Sequence, residues 1–169
     1  MNNFGLVVIG AHSGVWLSSL LDEHKDRNIL LVEPVPYNIA LLKENIAKYK
    51  NITIETSAVS EKNEIKKFYY VKPDAVKKLG KHWASGIGSF DKQHILNHKY
   101  KRFMVTDIDI EEIDVQYLTF SNLMKKYSVS SIDLLQIDVE GAEFQILNSI
   151  NFEKIEIKKI IFEFKHFDG

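Results

Sequence analysis

The chain predicts an α/β fold built on an open, mostly parallel sheet, and three observations carry that expectation. A short apolar run, Leu6 to Ile9, leads directly into Gly10-Ala11-His12-Ser13-Gly14, the pattern of a buried strand turning tightly into a helix. Strand-like and helix-like segments then alternate over the first sixty residues. A second apolar run, Ile132 to Ile137, ends in Asp138-Val139-Glu140-Gly141, again at a strand-to-helix turn. Such alternation implies parallel strands joined by right-handed crossovers, with helices on both faces and strand order 3-2-1-4-5.

Each element has its own signal. Val15, Leu17, Leu20, Leu21 and His24 give a short one-sided helix, ended by Asp26 to Asn28. Ile29 to Val32 reads as the second strand, stopped at Glu33 because Pro34 and Pro36 prevent a continuous ladder. Ile39, Leu42, Ile46 and Tyr49 recur at helical spacing, predicting a helix over 37–49. Alternating Ile52 and Ile54 predict the third strand, ending near Ser57-Ala58-Val59. The middle differs: Ile65 to Val71 and Arg102 to Ile110 are both strand-like, and the expectation is an antiparallel pair enclosing a long aperiodic segment, 73–101. A loop of that length is either a functional cover or a disordered insertion. Thr119 or Ser121 caps a short helix to Lys126, followed by the Ile132 strand, a helix over 142–150 and a last strand over 159–164.

Composition narrows the class. A chain of 169 residues suits one domain, 1–169, with a real core. A net charge of −1 gives no global field for nucleic acid, and the basic Lys99, Lys101 and Arg102 are followed at once by Asp107, Asp109, Glu111, Glu112 and Asp114, a charge-balanced face. Neither a membrane span nor a basic-then-apolar leader is visible, and there is no cysteine, so the expected setting is cytoplasmic.

Two constellations point to chemistry. Glu33 lies 19 residues after Gly14 at a strand end, where an acid can accept hydrogen bonds from the ribose hydroxyls of an adenosine over the glycine turn. Alone it reads as a surface glutamate and the glycine loop alone as a packing turn, and only the loop, the helix and the acid together favour an adenosine-type ligand. Asp138 and Glu140 stand at the point where strand order reverses, the place in such a sheet where ligands collect. Carboxylates there bind a hydroxyl or ammonium, or take a proton as general base; an N-cap role for Asp138 is the alternative.

These residues together resemble a family. Val7 to Gly14, Val32-Glu33-Pro34 with Asn38 and Asn45, Ser57-Ala58-Val59, and above all Ile132-Asp133-Leu134-Leu135-Gln136-Ile137-Asp138-Val139-Glu140-Gly141-Ala142-Glu143 resemble the FkbM-type methyltransferases. The likeness implies a Rossmann-like fold, S-adenosylmethionine as cofactor, and methyl transfer to a hydroxyl of a small or carbohydrate-like acceptor. It implies cofactor contacts from Gly10, Ala11, His12, Ser13, Gly14, Glu33, Pro34, Asn38, Ser57, Ala58, Val59 and Asp138, with Asp138 and Glu140 catalytic. The family's first loop reads Asp-x-Gly-Ala-Asn-x-Gly. Here Val8 replaces the acid that helps anchor the methionine end, and His12 replaces the asparagine. A protonated His12 in the crevice is expected to pair with the cofactor carboxylate instead. Trp83 and Ser89 are expected on the cover, and Glu163 and His166 at the acceptor side; with Asp138 these two could make an oxygen-rich divalent-metal set, but the expectation is S-adenosylmethionine without a metal. His94 and His98 share a helix face without a third ligand. The fold normally adds a terminal antiparallel pair beyond the fifth strand, so the expectation is either a minimal version of the fold or an incomplete sequence, and a truncated sheet leaves an open edge suited to a homodimer. The competing class is a nucleotide- or partner-binding domain without catalysis, favoured by Val8 and His12.

Overall fold

The structure is a computed structural model that describes residues 2–80, 85–97, 105–139 and 141–163. The chain falls into two compact units, one made of residues 1–64 and 116–169 and the other of residues 65–115.

The first unit holds a five-stranded, wholly parallel sheet. Its strands are β1 (Asn2–Ile9), β2 (Asn28–Val32), β3 (Ile52–Glu55), β8 (Val129–Ile137) and β9 (Glu156–Phe162), in the order β3-β2-β1-β8-β9. This is the predicted 3-2-1-4-5 arrangement, with β3 and β9 as edges. Two apolar layers flank it. On one face the turn before α1 (Ser18–His24), α1 itself and α2 (Pro36–Asn45) bring Leu17, Leu21 and Leu42 against Leu6, Val8, Leu31 and Leu134. On the other, α5 (Phe120–Lys126) and α6 (Glu143–Asn148) bring Phe120, Leu123 and Ile146 against Val7, Ile9, Leu30, Val32, Leu135 and Ile137. Strands buried on both faces need unbroken apolar runs, which is why these segments read so clearly.

Local chemistry sets the helix ends. Pro36 occupies the first turn of α2, where its missing N–H costs nothing, so the helix starts one residue before the expected Tyr37 and stops at Asn45. Thr119 accepts a hydrogen bond from the Asn122 N–H at 3.2 Å and caps α5. Residues 15–17 form a 3-10 turn ahead of α1.

One irregularity crosses the sheet. Phe4 packs in one layer and Leu6 in the other, so the side-chain alternation of β1 breaks at Gly5, and β8 makes the same switch between Ile132 and Leu134. A Cβ on Gly5 would lie 2.6 Å from Cβ of Arg27. Asp133, released from the alternation, bonds Arg27 at 3.1 Å and Lys158 at 2.8 Å. Its hydrogen bond to Lys158 holds the carboxyl below its usual range against some burial, helped by Arg27.

A four-stranded sheet has the order β4-β7-β5-β6, from β4 (Ala58–Val59), β5 (Glu64–Val71), β6 (Gly88–Ser89) and β7 (Ile110–Leu118). In the first unit β4 runs parallel to the end of β7, Ala58 opposite Tyr117. Within the second unit β5 pairs antiparallel with β6, and Lys72 N–H meets Asp109 C=O at 2.8 Å where β7 begins. The partner of β5 is therefore 110–118 rather than the expected 102–110; residues 107–109 form a 3-10 turn closed by a Thr106–Asp109 capping box. The segment expected to be aperiodic carries α3 (Pro73–Leu79), β6 and α4 (Lys92–Asn97) over a small core of Val71, Ala75, Val76, Ile87, Ile95, Val105 and Ile110. Three of the acidic residues behind it are paired with lysines, Lys67 with Glu112 and Asp114 and Lys92 with Asp107. No helix among the described residues is long and apolar enough to cross a membrane.

Candidate functional site

The turn after β1 is shaped by main-chain contacts. Gly10 and Ala11 N–H both donate to Val32 C=O, at 3.0 and 2.9 Å, while Asp138 N–H donates to Ile9 C=O at 2.9 Å. These bonds bring the turn between β2 and β8, where the order of parallel strands reverses. Gly10 has φ 90, and a Cβ there would lie 1.8 Å from the Asp138 carbonyl oxygen. Only glycine fits. Gly14, at φ 76, would press a Cβ to 2.5 Å from Leu42 Cδ1, so α2 and the loop also meet without an intervening side chain.

His12 occupies the left-handed region at φ 51. Among non-glycine residues this conformation favours Asn, Asp and His, so an asparagine-to-histidine exchange at this position preserves the backbone. The His12 N–H points at Glu33 Oε2, 2.9 Å away, and its ring Nδ1 lies 3.3 Å from Ser13 Oγ. Glu33, only 5% exposed, takes two further donors on Oε1, Val35 N–H at 2.9 Å and Asn38 Nδ2 at 3.2 Å. Burial pushes this carboxyl above its usual range despite the three donors. Asn45 on α2 donates to Ser13 C=O at 2.8 Å and holds the far side of the loop. Pro34 is half-buried beside Glu33.

At the end of β3 a second buried carboxylate does similar work. Glu55 accepts Ser57 N–H at 2.9 Å, Tyr127 O–H at 2.8 Å and Lys126 Nζ at 2.6 Å. Burial raises its pKa, but these donors together outweigh burial and hold it below the usual range. Ser57 is 2% exposed, and its hydroxyl has no hydrogen-bond partner among the described residues. Ala58 and Val59 are buried in β4, Val59 within the core below α5.

Past the switch point, Asp138, Glu143 and Glu163 each place a carboxylate oxygen within 4.8 Å of the others. Asp138 and Glu163 are half-buried. Glu143 is 1% exposed and accepts Val139 N–H at 3.0 Å and Gly141 N–H at 3.0 Å, fixing the turn at Gly141, φ 108. Three carboxylates suit a hard cation, but with one oxygen each, and with Glu143 giving part of its acceptor capacity to backbone N–H groups, they supply fewer than the six to eight oxygens that Ca²⁺ takes. The third carboxylate of this group is thus Glu143, a residue of the recognised string to which the sequence assigned no role. Glu140, Trp83, His98, His166 and the basic residues Lys99, Lys101 and Arg102 lie outside the described residues. Ser89 lies in the second unit, where its hydroxyl accepts Asp91 N–H at 3.1 Å.

Val8 is fully buried among Leu6, Leu31 and Leu134. It is a core residue, and no acid reaches the crevice from this position. Asn45 and Glu55 were missed as loop holders. Glu55 carried the same signal as Glu33, an acid closing an apolar strand before a turn.

A sequence model of the methyltransferase FkbM domain matches residues 9–169. The chain belongs to the FkbM methyltransferase family. Neither the curated proteins nor the solved structures gave a match.

Proposed function

We propose that the chain transfers a methyl group from S-adenosylmethionine to a hydroxyl oxygen of a small or carbohydrate-like acceptor. The observation that carries this reading is the meeting of the glycine turn with Asp138 at the reversal of strand order, with Glu163 beside Asp138. Residues Gly10 to Gly14 approach the cofactor through main chain, Glu33 receives its ribose, and Pro34, Asn38, Ser57, Ala58 and Val59 frame the adenine side. The buried Ser57 hydroxyl, lacking a hydrogen-bond partner among the described residues, is a polar atom that an adenine edge would satisfy. The bound sulfonium supplies an already activated methyl group.

The protein's share is alignment and one proton. Asp138 and Glu163 are half-exposed carboxylates close enough to grip one acceptor hydroxyl between them, and Asp138 accepts its proton as the oxygen attacks. Glu143 holds the main chain after Asp138 and so sets the carboxylate's position without touching the acceptor. No step requires a metal.

Incubation with methyl-labelled S-adenosylmethionine and a panel of hydroxylated metabolites tests the reading. Transfer by the parent and a fall of about 10²-fold or more in a folded Asp138→Asn variant is the expected result. Binding of S-adenosylhomocysteine with no transfer to any acceptor would favour a binding domain, as the buried Val8 does. Glu33→Ala should weaken calorimetric binding of S-adenosylhomocysteine by at least ~1 kcal/mol; unchanged affinity would displace the ribose from Glu33.

A further inference from the structure

We propose that Glu33 is first a positioning residue, which ties the glycine loop to the β2–α2 turn, and that it therefore offers a bound ribose one acceptor position rather than two. The proposal rests on the cofactor reading above for its ribose part and on the protein alone for its loop part.

An ionised carboxylate has about four lone-pair sites, two on each oxygen. On Glu33 Oε1 both are taken, one by Val35 N–H at 2.9 Å and one by Asn38 Nδ2 at 3.2 Å. On Oε2 one is taken by His12 N–H at 2.9 Å. One site is left. A ribose that chelated the carboxylate through both hydroxyls would have to displace a donor from a residue only 5% exposed, leaving a buried N–H without a partner. The donors come from both sides of the crevice, one from the loop after β1 and two from the start of α2. His12 sits at φ 51, and its N–H is the donor to Oε2. Glu33 thus assembles the cofactor loop before any ligand arrives, and the ribose receives only its remaining lone pair.

Two arms test this separately. In the first, calorimetry with the unmodified protein compares S-adenosylhomocysteine with its 2′-deoxy and 3′-deoxy analogues. One analogue should bind within about threefold of the parent ligand and the other about tenfold more weakly, the loss expected for one hydrogen bond to a charged acceptor. Equal and large losses for both analogues, or no loss for either, would overturn single-hydroxyl recognition. In the second, amide hydrogen exchange is followed without ligand in the parent and in Glu33→Gln, whose amide group keeps one acceptor oxygen. The His12 or Val35 N–H should lose protection by about tenfold or more while β8 amides stay unchanged; retained protection at both would overturn the positioning role. Should Glu33→Gln fail to fold, Asn38→Ala, which removes one donor, should leave His12 protected and expose a new acceptor site on Oε1, so that the weaker-binding analogue recovers. No binding of S-adenosylhomocysteine at all would remove the cofactor reading and leave the exchange arm to decide the loop.

Discussion

Glu33 and Glu55 end neighbouring strands, are both nearly sealed from water, and both gather three donors, yet their acidities move in opposite directions. The deeper burial of Glu33 and the charge of the donors together explain the difference. Glu33 meets only neutral N–H groups, which offset part of the cost of burying its charge. Glu55 meets two neutral groups and the Lys126 ammonium at 2.6 Å, and the full positive charge reverses the balance. Counting hydrogen bonds does not predict the direction of a pKa shift; depth of burial and the charge of the donors do. The comparison also separates two jobs. Glu55 is locked by a cation that also closes α5 onto the sheet. Among the described residues Glu33 has no cation beside it.

The largest effect expected from breaking this comparison is at Glu55. Glu55→Ala should destabilise the fold by about 3 kcal/mol in urea denaturation near neutral pH, because it strands the Tyr127 hydroxyl and the Ser57 N–H and deprives Lys126 of its partner. His12→Val should cost about 1–2 kcal/mol, since a β-branched side chain resists φ 51. Lys126→Met should cost about 1 kcal/mol, the lysine being 52% exposed, and should move Glu55 upward toward the behaviour of Glu33, visible in the carboxyl titration by NMR. The pH dependence sharpens the contrast. The folded pKa of Glu33 is raised, so the stability it contributes is complete below 4.5 and is lost as pH rises through the folded value. Glu33→Gln should therefore gain on the parent as pH climbs from 4.5. The folded pKa of Glu55 is lowered, so its contribution is present above 4.5 and lost as pH falls through the folded value. The deficit of Glu55→Gln should shrink in acid, and parallel slopes for the two variants would break the comparison. His12→Asn is the smallest change, within about 0.5 kcal/mol by thermal melting.

The five parallel strands and their order were legible because strands buried on both faces leave unbroken apolar runs. Helix α3 was not. Its seven residues span less than two turns, too few for a period to show, although Pro73 at its start, Asp74 in its first turn, Lys77 and Lys78 in its last and Gly80 at φ 61 behind it are the signals of a capped helix. The start of β1 was missed for another reason. Gly5 interrupts its alternation, and the pattern becomes regular only from Leu6. At the site, the sequence located Glu33, Asn38 and Asp138 but not what they touch. Spacing brings an acid to the crevice without revealing that His12, Val35 and Asn38 already occupy it.

The contact between Gly10 and the Asp138 carbonyl has a consequence for how such a domain diverges. Where those two strands touch, the Gly10 main chain meets the Asp138 peptide group directly, with a Val139 methyl beside it. Peptide groups are the same in every protein, so mutation cannot recolour that contact; it can only preserve the glycine or close the gap. Selectivity for one acceptor over another must then be written on the walls, in side chains carried by the turns after β2, β3, β8 and β9, while the grip on whatever rests there passes unchanged from one descendant to the next.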